Sequence, residues 1–264
     1  MSQADIDSTE APLLDHLIEL RKRLIYCVLG FGLAFALSFA FSTHIFQILI
    51  LPFKWGTGKD VELITIKLLG FFLVKLKIAF FGAMFVTFPL IATQIYRFVA
   101  PGLYANERNA FRPYLLATPI FFLLGAALVY FFLLPVAIKF FYSLVDGTGV
   151  QLLPDVEAYL DFVMTLILAF GLCFQLPVIL TLLGQIGIVS YDQLRSGRKF
   201  AVVGVFVVAA VLTPPDPISQ IAMAIPLMGL YEIAVQAVRF LEKRRAVAAA
   251  KAEAAEAAEA AKST

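Results

Sequence analysis

Charge is scarce in this chain: of its 264 residues 15% are Asp, Glu, Lys or Arg, where a soluble domain carries roughly 25%. Hydrophobic residues, 26 Phe among them, make up 61%, and the mean hydropathy is +0.89. The deficit points to lipid as the main solvent. The formal net charge is only +2, which excludes nucleic acid as an expected partner. Histidine is nearly absent. His16 and His44 are the only two, and no metal-ligand spacing surrounds them. The two cysteines, Cys27 and Cys173, sit inside apolar stretches and read as small core residues, not as a disulfide. There is no GxSxG motif. Gly56-Thr-Gly-Lys-Asp60 has only a superficial likeness to a nucleotide loop. It lacks the first glycine at the required spacing, and its closing Asp cannot place a hydroxyl on Mg²⁺. No enzyme, no ATP-driven pump and no cofactor are expected, so energy for transport would come from an ion gradient or another subunit. Residues 1–12 are polar and acidic with no basic n-region, and no secretory signal peptide is expected there.

What is present is a series of long apolar runs. A bilayer-crossing helix needs about 20 mostly apolar residues. Residues 24–45, 68–100, 114–144 and 159–188 meet that length, with Pro89, Pro119, Pro135 and Pro177 inside them. Two shorter runs follow, 200–213 and 218–231, on either side of Thr213-Pro-Pro-Asp-Pro217. Fourteen residues at ~1.5 Å each cover about 21 Å of a ~30 Å core. Such runs thin the bilayer, sit in a protein-lined hollow, or belong to longer helices with snorkelling ends, and apolar character does resume after Glu232. The expected fold is therefore all-α, an integral membrane protein of six spans. An amphipathic segment, 1–23, precedes the membrane domain of 24–241. An Ala/Glu-rich tail, 242–264, follows it as a solvated, partly frayed helix, with Glu253, Glu256 and Glu259 along one face.

Six spans put both termini on one side. With the termini inside, the inner segments hold all ten arginines and five of the lysines. Only Lys54, Lys59, Lys67, Lys75, Lys77 and Lys139 fall outside, so the positive-inside rule favours cytoplasmic termini. Lys75 and Lys77 lie where the second span begins, and either snorkel outward or precede the span. The second outer loop, 146–161, carries Asp146, Asp155, Glu157 and Asp161 and no base.

Several polar groups stand at the edges of these runs. In Leu14-Asp-His-Leu-Ile-Glu-Leu-Arg-Lys-Arg-Leu24 the apolar residues mark one face, and Glu19 and Arg23 are four apart on another. By spacing alone this is an interfacial helix with an ordinary ion pair. Asn106-Glu-Arg108 reads locally as a cap for the third span, with Glu107 near its positive end. A second reading takes Glu19 and Glu107 together as acids at one headgroup level. A ligand with adjacent arginines can fork across a carboxylate, which the point charge of lysine cannot, and Phe98 and Tyr104 can pack beside it. Gln175 lies mid-span in Phe170-Gly-Leu-Cys-Phe-Gln-Leu-Pro177 and needs a hydrogen-bond partner, from this chain or from a neighbouring helix. Asp216-Pro217 reads as an N-cap and first-turn proline, flanked by Thr213 and Gln220. Glu232, near the inner end of the last span, faces protein or snorkels. Prolines within spans, with Gln175 and Glu232, also fit a small-solute transporter, although no inverted repeat is visible. A passive assembly scaffold is the third class.

Four segments, in order and at matching spacing, carry a resemblance: His-Leu-Ile-Glu-Leu-Arg-Lys-Arg-Leu (16–24), Phe-Val-Ala-Pro-Gly-Leu-Tyr-Ala-Asn-Glu-Arg (98–108), Phe-Gly-Leu-Cys-Phe-Gln-Leu-Pro-Val (170–178) and Leu-Thr-Pro-Pro-Asp-Pro-Ile-Ser-Gln (212–220). From about residue 13 to 245 the chain resembles the TatC family, the multispanning receptors of the twin-arginine protein translocase. The resemblance implies a glove-like six-helix bundle with a concave face in the bacterial inner membrane. It implies a protein that binds twin-arginine signal peptides of folded precursors at the cytoplasmic face. Such a protein works in a multimeric complex with the single-span partners TatA and TatB and draws on the proton-motive force. By that resemblance Glu19 and Glu107 match acids of signal-peptide recognition, and Arg21, Arg23 and Phe98 match other positions of that surface. Thr213, Asp216 and Gln220 match the turn where a partner helix docks. The family often has a membrane Glu where this chain has Gln175, so a proton-sensing role there is weakened while hydrogen bonding to a partner helix survives. The resemblance implies a docking platform rather than a pore.

Overall fold

The computed structural model describes residues 3–58, 63–99, 112–148, 153–212 and 217–262, and within them the side chains from His16 onward except those of 99, 112, 217–219, 248–249, 252–253 and 255–262. The described residues are almost wholly helical: α1 (Gln3–Ala40), α2 (Ser42–Thr57), α3 (Gly70–Val99), α4 (Arg112–Leu128), a π-helical turn (Val129–Leu133), α5 (Leu134–Val145), α6 (Val156–Cys173), α7 (Leu176–Gln185), α8 (Tyr191–Leu212) and α9 (Pro217–Lys262). This is what hydrocarbon demands, because a helix satisfies its backbone groups within its own segment. The extended pairing among the described residues is one parallel bridge, Ile64 with Asp155.

Among the described residues five stretches are long and apolar enough to cross a membrane: His16–Ala40, Gly70–Phe98, Pro113–Val145, Val156–Gln185 and Gln220–Val247. They establish a multi-pass membrane protein. Four correspond to the first four expected spans, with shifted ends. The first begins earlier because α1 runs unbroken from the amphipathic segment into the apolar one. The short run at 218–231 is only the beginning of a longer span, since α9 continues through Glu232 for 46 residues in all. The run at 200–213 belongs to α8 as far as Leu212, and the 22 residues of that helix include Asp192, Arg195, Arg198 and Lys199. Its uncharged part alone is too short to count.

The chain divides into two compact units. The first comprises the chain up to Ile120 and Ala126–Leu168. Its largest interface is α1 against α3, antiparallel, as successive pairs show. Ser38 is buried against Gly82, where an added Cβ would lie 2.8 Å from the Ser38 hydroxyl, and Gly30 sits against Leu90. Phe31 and Phe80 meet edge to face at 5.3 Å. Only 11% of the α1 span is buried. Leu24, Val28, Leu29, Leu33 and Leu37 are exposed, as expected where lipid is the solvent. The core of this unit gathers Val74, Ile78, Leu134, Leu160 and Val163.

Prolines inside the helices set the remaining constraints. Pro52 lies within α2 and has no N–H for the carbonyl of Ile48, four residues earlier. Tyr130 donates its hydroxyl to that oxygen at 2.7 Å. Tyr159 donates to the adjacent carbonyl of Leu49 at 3.0 Å, and Trp55 packs on Tyr130 and Phe131. Tyr130 thus supplies the Ile48 carbonyl with the donor that Pro52 removes, and Tyr159 adds a second tie to the same turn of α2. Lys77 lies about two turns into α3 and is paired: its ammonium reaches Glu157 at 2.9 Å and Asp161 at 2.7 Å on α6. Lys67 also reaches Glu157, at 3.0 Å. Two acids in the first turns of α6 therefore pair a lysine that would otherwise have to snorkel. Lys75 lies over the ring of Phe71.

The second unit comprises Phe121–Gly125 and the chain from Ala169. Gly125 and Gly171 let its segments approach closely. A Cβ on Gly171 would lie 2.5 Å from the Phe122 ring, and one on Gly125 would lie 2.7 Å from the Phe170 carbonyl. Leu194, Val235 and Val238 form a small core where α7, α8 and α9 meet, with Leu180, Tyr191 and Tyr231 against it. Glu232 faces protein: Arg198 donates to it at 2.7 Å, as does Gln236.

The Pro52 arrangement makes a quantitative prediction. Tyr130→Phe leaves the Ile48 carbonyl unpaired and lowers stability by about 1–3 kcal/mol, read by detergent-titration unfolding in mixed micelles. In the Pro52→Ala background, where the helix regains its N–H, the same substitution costs much less. Equal losses in both backgrounds contradict the assignment.

Candidate peptide-binding surface

The first unit carries a polar constellation where the α1–α3 seam ends. Helical spacing places His16, Glu19 and Arg23 on one face of α1, three and four residues apart, and Gln94 and Phe98 four apart on α3. The two faces meet. His16 stacks on Phe98 with ring centroids 4.2 Å apart and an interplanar angle of 18°. Arg23 donates from Nη1 to Gln94 Oε1 at 3.2 Å. The same guanidinium donates from Nε to Glu19 Oε1 at 3.0 Å and from Nη2 to that same oxygen. Glu19 therefore has one carboxylate oxygen carrying two bonds, while no hydrogen bond to Oε2 is present among the described residues. Its side chain is 35% exposed, that of Arg23 20%. Arg21 and Arg97 are exposed beside them.

Of the residues singled out by sequence for this surface, Glu19, Arg23 and Phe98 are brought together by the described structure. Arg21 lies on the exposed side of α1 with no bond to the other three. Glu107, Tyr104 and Asn106 lie outside the described residues. His16 and Gln94 were not singled out, although both carried a signal. His16 shares the helical face of Glu19 and Arg23, and Gln94 that of Phe98. What the spacing does not reveal is which two helices abut.

The residues singled out for a partner helix belong to the second unit. Gln175 is at the break between α6 and α7, 6% exposed, and donates from Nε2 to the Gly171 carbonyl at 3.4 Å. Pro177 sits in the first turn of α7. A partner helix reaches Gln175 only by displacing its neighbours. Gln220, one turn into α9, donates to the Phe206 carbonyl of α8 at 3.3 Å. The described structure shows no bond joining Gln175 to Gln220. Thr213 and Asp216 lie outside the described residues. The exposed row Phe200, Val203, Val207 and Val211 on α8 leaves an apolar stripe of that helix uncovered. No group of three His, Cys, Asp or Glu that could hold a metal occurs among the described residues.

Comparison with known proteins bears on the whole chain. The profile of the family described as Sec-independent protein translocase protein (TatC) matches residues 15–226. The Sec-independent protein translocase protein TatC of Magnetococcus marinus is 42% identical over 237 residues, which are 90% of this chain and 87% of that protein. The protein of the same name from Escherichia coli strain K12 is 37% identical over 229 residues, 87% of this chain and 88% of the relative. A crystal structure of the twin arginine translocase receptor TatC superposes with a TM-score of 0.76 at 36% identity, covering 86% of this chain and 99% of that one.

The Gln94 bond ties α1 to α3 at this surface. Gln94→Leu removes it, and backbone amides around Arg23 then exchange with deuterium several-fold faster. Unchanged exchange would mean the tie contributes nothing to order there.

Proposed function

This chain belongs to the TatC family of Sec-independent protein translocase proteins, and on that premise we propose that it is the receptor that binds twin-arginine signal peptides of folded precursors at the cytoplasmic membrane face. The protein is a transport component of a Tat complex. The finer reading is that Glu19, with Glu107, reads the paired arginines. The observation that carries it is a partly exposed carboxylate, Glu19, with one oxygen free of hydrogen bonds among the described residues, on the same helical face as His16, which stacks on the Phe98 ring. That is the chemistry a guanidinium recognises, because two N–H donors can fork onto one carboxylate and its plane can rest on an aromatic face. Glu107 is eight residues past the end of α3, so even a fully extended chain keeps it within about 28 Å of that end.

Topology supports the placement. Counting α8 gives six spans, and all ten arginines then fall on one side, so both termini are cytoplasmic by the positive-inside rule. At ~1.5 Å per residue the 22 residues of α8 extend about 33 Å, enough for a ~30 Å core once Arg195 and Lys199 reach the headgroups and Arg198 is paired with Glu232. We read the whole as a glove-like bundle in a bacterial inner membrane, a docking platform rather than a channel. The partners are TatA-type and TatB-type single-span subunits, whose helices dock near Thr213, Asp216 and Gln220, with Gln175 as a hydrogen-bonding group that such docking uncovers. The energy source is the proton-motive force. Gln175 does not titrate, so the proton-sensing group lies elsewhere.

Glu19→Ala combined with Glu107→Ala is expected to weaken binding of an Arg-Arg signal peptide to the nanodisc-embedded protein by about tenfold or more, the equivalent of ~1.4 kcal/mol. A Lys-Lys control peptide, weak from the outset, loses much less. Equal fold-losses for the two peptides would contradict recognition by bidentate acids.

A further inference from the structure

Glu19 is already engaged by a guanidinium. Arg23 donates twice to Oε1, and an incoming arginine that forks across the carboxylate needs both oxygens. The incoming and resident groups therefore compete for Oε1. Arg23 also holds a second acceptor on another helix: Gln94 Oε1 takes its Nη1 at 3.2 Å. On leaving Glu19 the resident side chain is still hydrogen-bonded, so its displacement does not strand a cation. Of the pair, Glu19 is the more exposed and Arg23 the deeper. A ligand thus meets the carboxylate first.

We propose that Arg23 is an internal stand-in for the ligand's arginine: it occupies Glu19 in the free protein, yields that carboxylate to a twin-arginine peptide, and is retained by Gln94 after the exchange. This rests on the receptor reading above. No bond order changes in the exchange. Two N–H donors of one guanidinium leave a carboxylate, and two of another replace them. The stand-in keeps the acid solvated by a matched partner while the site is empty, and it sets a threshold that every ligand must exceed. An arginine replaces what it removes bond for bond. A lysine, with one point charge, does not. Arg23 is a positioning residue in this scheme, and Gln94 is its second anchor.

The test measures binding of a synthetic Arg-Arg signal peptide to the full chain in nanodiscs. Arg23→Lys keeps the charge but is a poorer competitor, since it cannot hold both acceptors as a fork. It is expected to tighten peptide binding about two- to fivefold, the scale of a partly exposed ion pair, and Arg23→Gln at least as much. Both gains vanish in a Glu19→Gln background. Gln94→Ala, which removes the second anchor, weakens binding two- to fivefold. An Arg23→Lys protein that binds no more tightly than wild type, or a gain that persists without the Glu19 carboxylate, overturns the proposal. Generic charge repulsion predicts a gain for Arg23→Gln alone. A reading that needs no variant is the Nε–H resonance of Arg23 in arginine-labelled protein. It shifts on peptide addition if the exchange occurs, and an unmoved resonance with peptide bound overturns it. If wild-type protein binds the peptide without dependence on Glu19, or not at all, the Glu19 receptor reading falls and the stand-in falls with it. Glu19-dependent binding with no gain in Arg23→Lys removes the stand-in alone.

Discussion

Backbone and charge in this protein obey one constraint: in hydrocarbon a polar group that loses its partner finds no water to replace it. Pro52 removes an N–H from α2, and the carbonyl it abandons is met by the Tyr130 hydroxyl. Lys77 lies inside a span and is met by two carboxylates from α6. Glu232 lies inside another and is met by Arg198. Each solution joins elements distant in sequence, so satisfying the polar groups also fixes which helices are neighbours. Apolar packing does less of this work for α1, whose outward leucines are left to lipid. Close approach along the α1–α3 seam, made possible by small residues at Gly82 and Gly30, does more.

The same constraint explains why the candidate surface stands where it does. The seam carries small and aromatic contacts through its apolar length and ends in His16, Glu19, Arg23, Gln94 and Phe98. At a membrane boundary an acid and a base can be held half-exposed, paired enough to be tolerated and open enough to exchange partners. Deeper in the lipid the same carboxylate would be locked to its partner; in open water it would discriminate little. A receptor for an arginine-bearing peptide needs the intermediate environment.

Much of this was legible in the sequence, because the membrane simplifies what a sequence must say. Long apolar runs announce spans, and the second to fourth were placed within three residues of their observed ends. The ends themselves were less legible. α1 begins well before its apolar run, and α9 continues past Glu232, because an amphipathic stretch continues a helix without continuing its hydropathy. The charges at Lys77 were expected to snorkel or to precede the span. Their pairing with Glu157 and Asp161, some 80 residues away, follows from tertiary neighbours that periodicity cannot name. At the site, Glu19 and Arg23 were visible as an i,i+4 pair, and the four matching motifs singled out Phe98. Gln94 and His16 were not visible as partners, since each is unremarkable on its own helix and acquires meaning only when α1 and α3 pack. Gln175 was legible as a polar group needing a partner, and its bond to Gly171 is local.

The central claim is that the α1–α3 polar surface, together with the loop bearing Glu107, is where a twin-arginine peptide docks. The most direct measurement is photocrosslinking with an Arg-Arg signal peptide whose reactive group sits beside the arginines, added to the nanodisc-embedded protein and mapped by mass spectrometry. The account predicts adducts within residues 16–23, 94–98 and 100–111, abolished by excess unlabelled Arg-Arg peptide and not by its Lys-Lys counterpart. Adducts concentrated instead on α8 and α9, with these segments unlabelled, would contradict it.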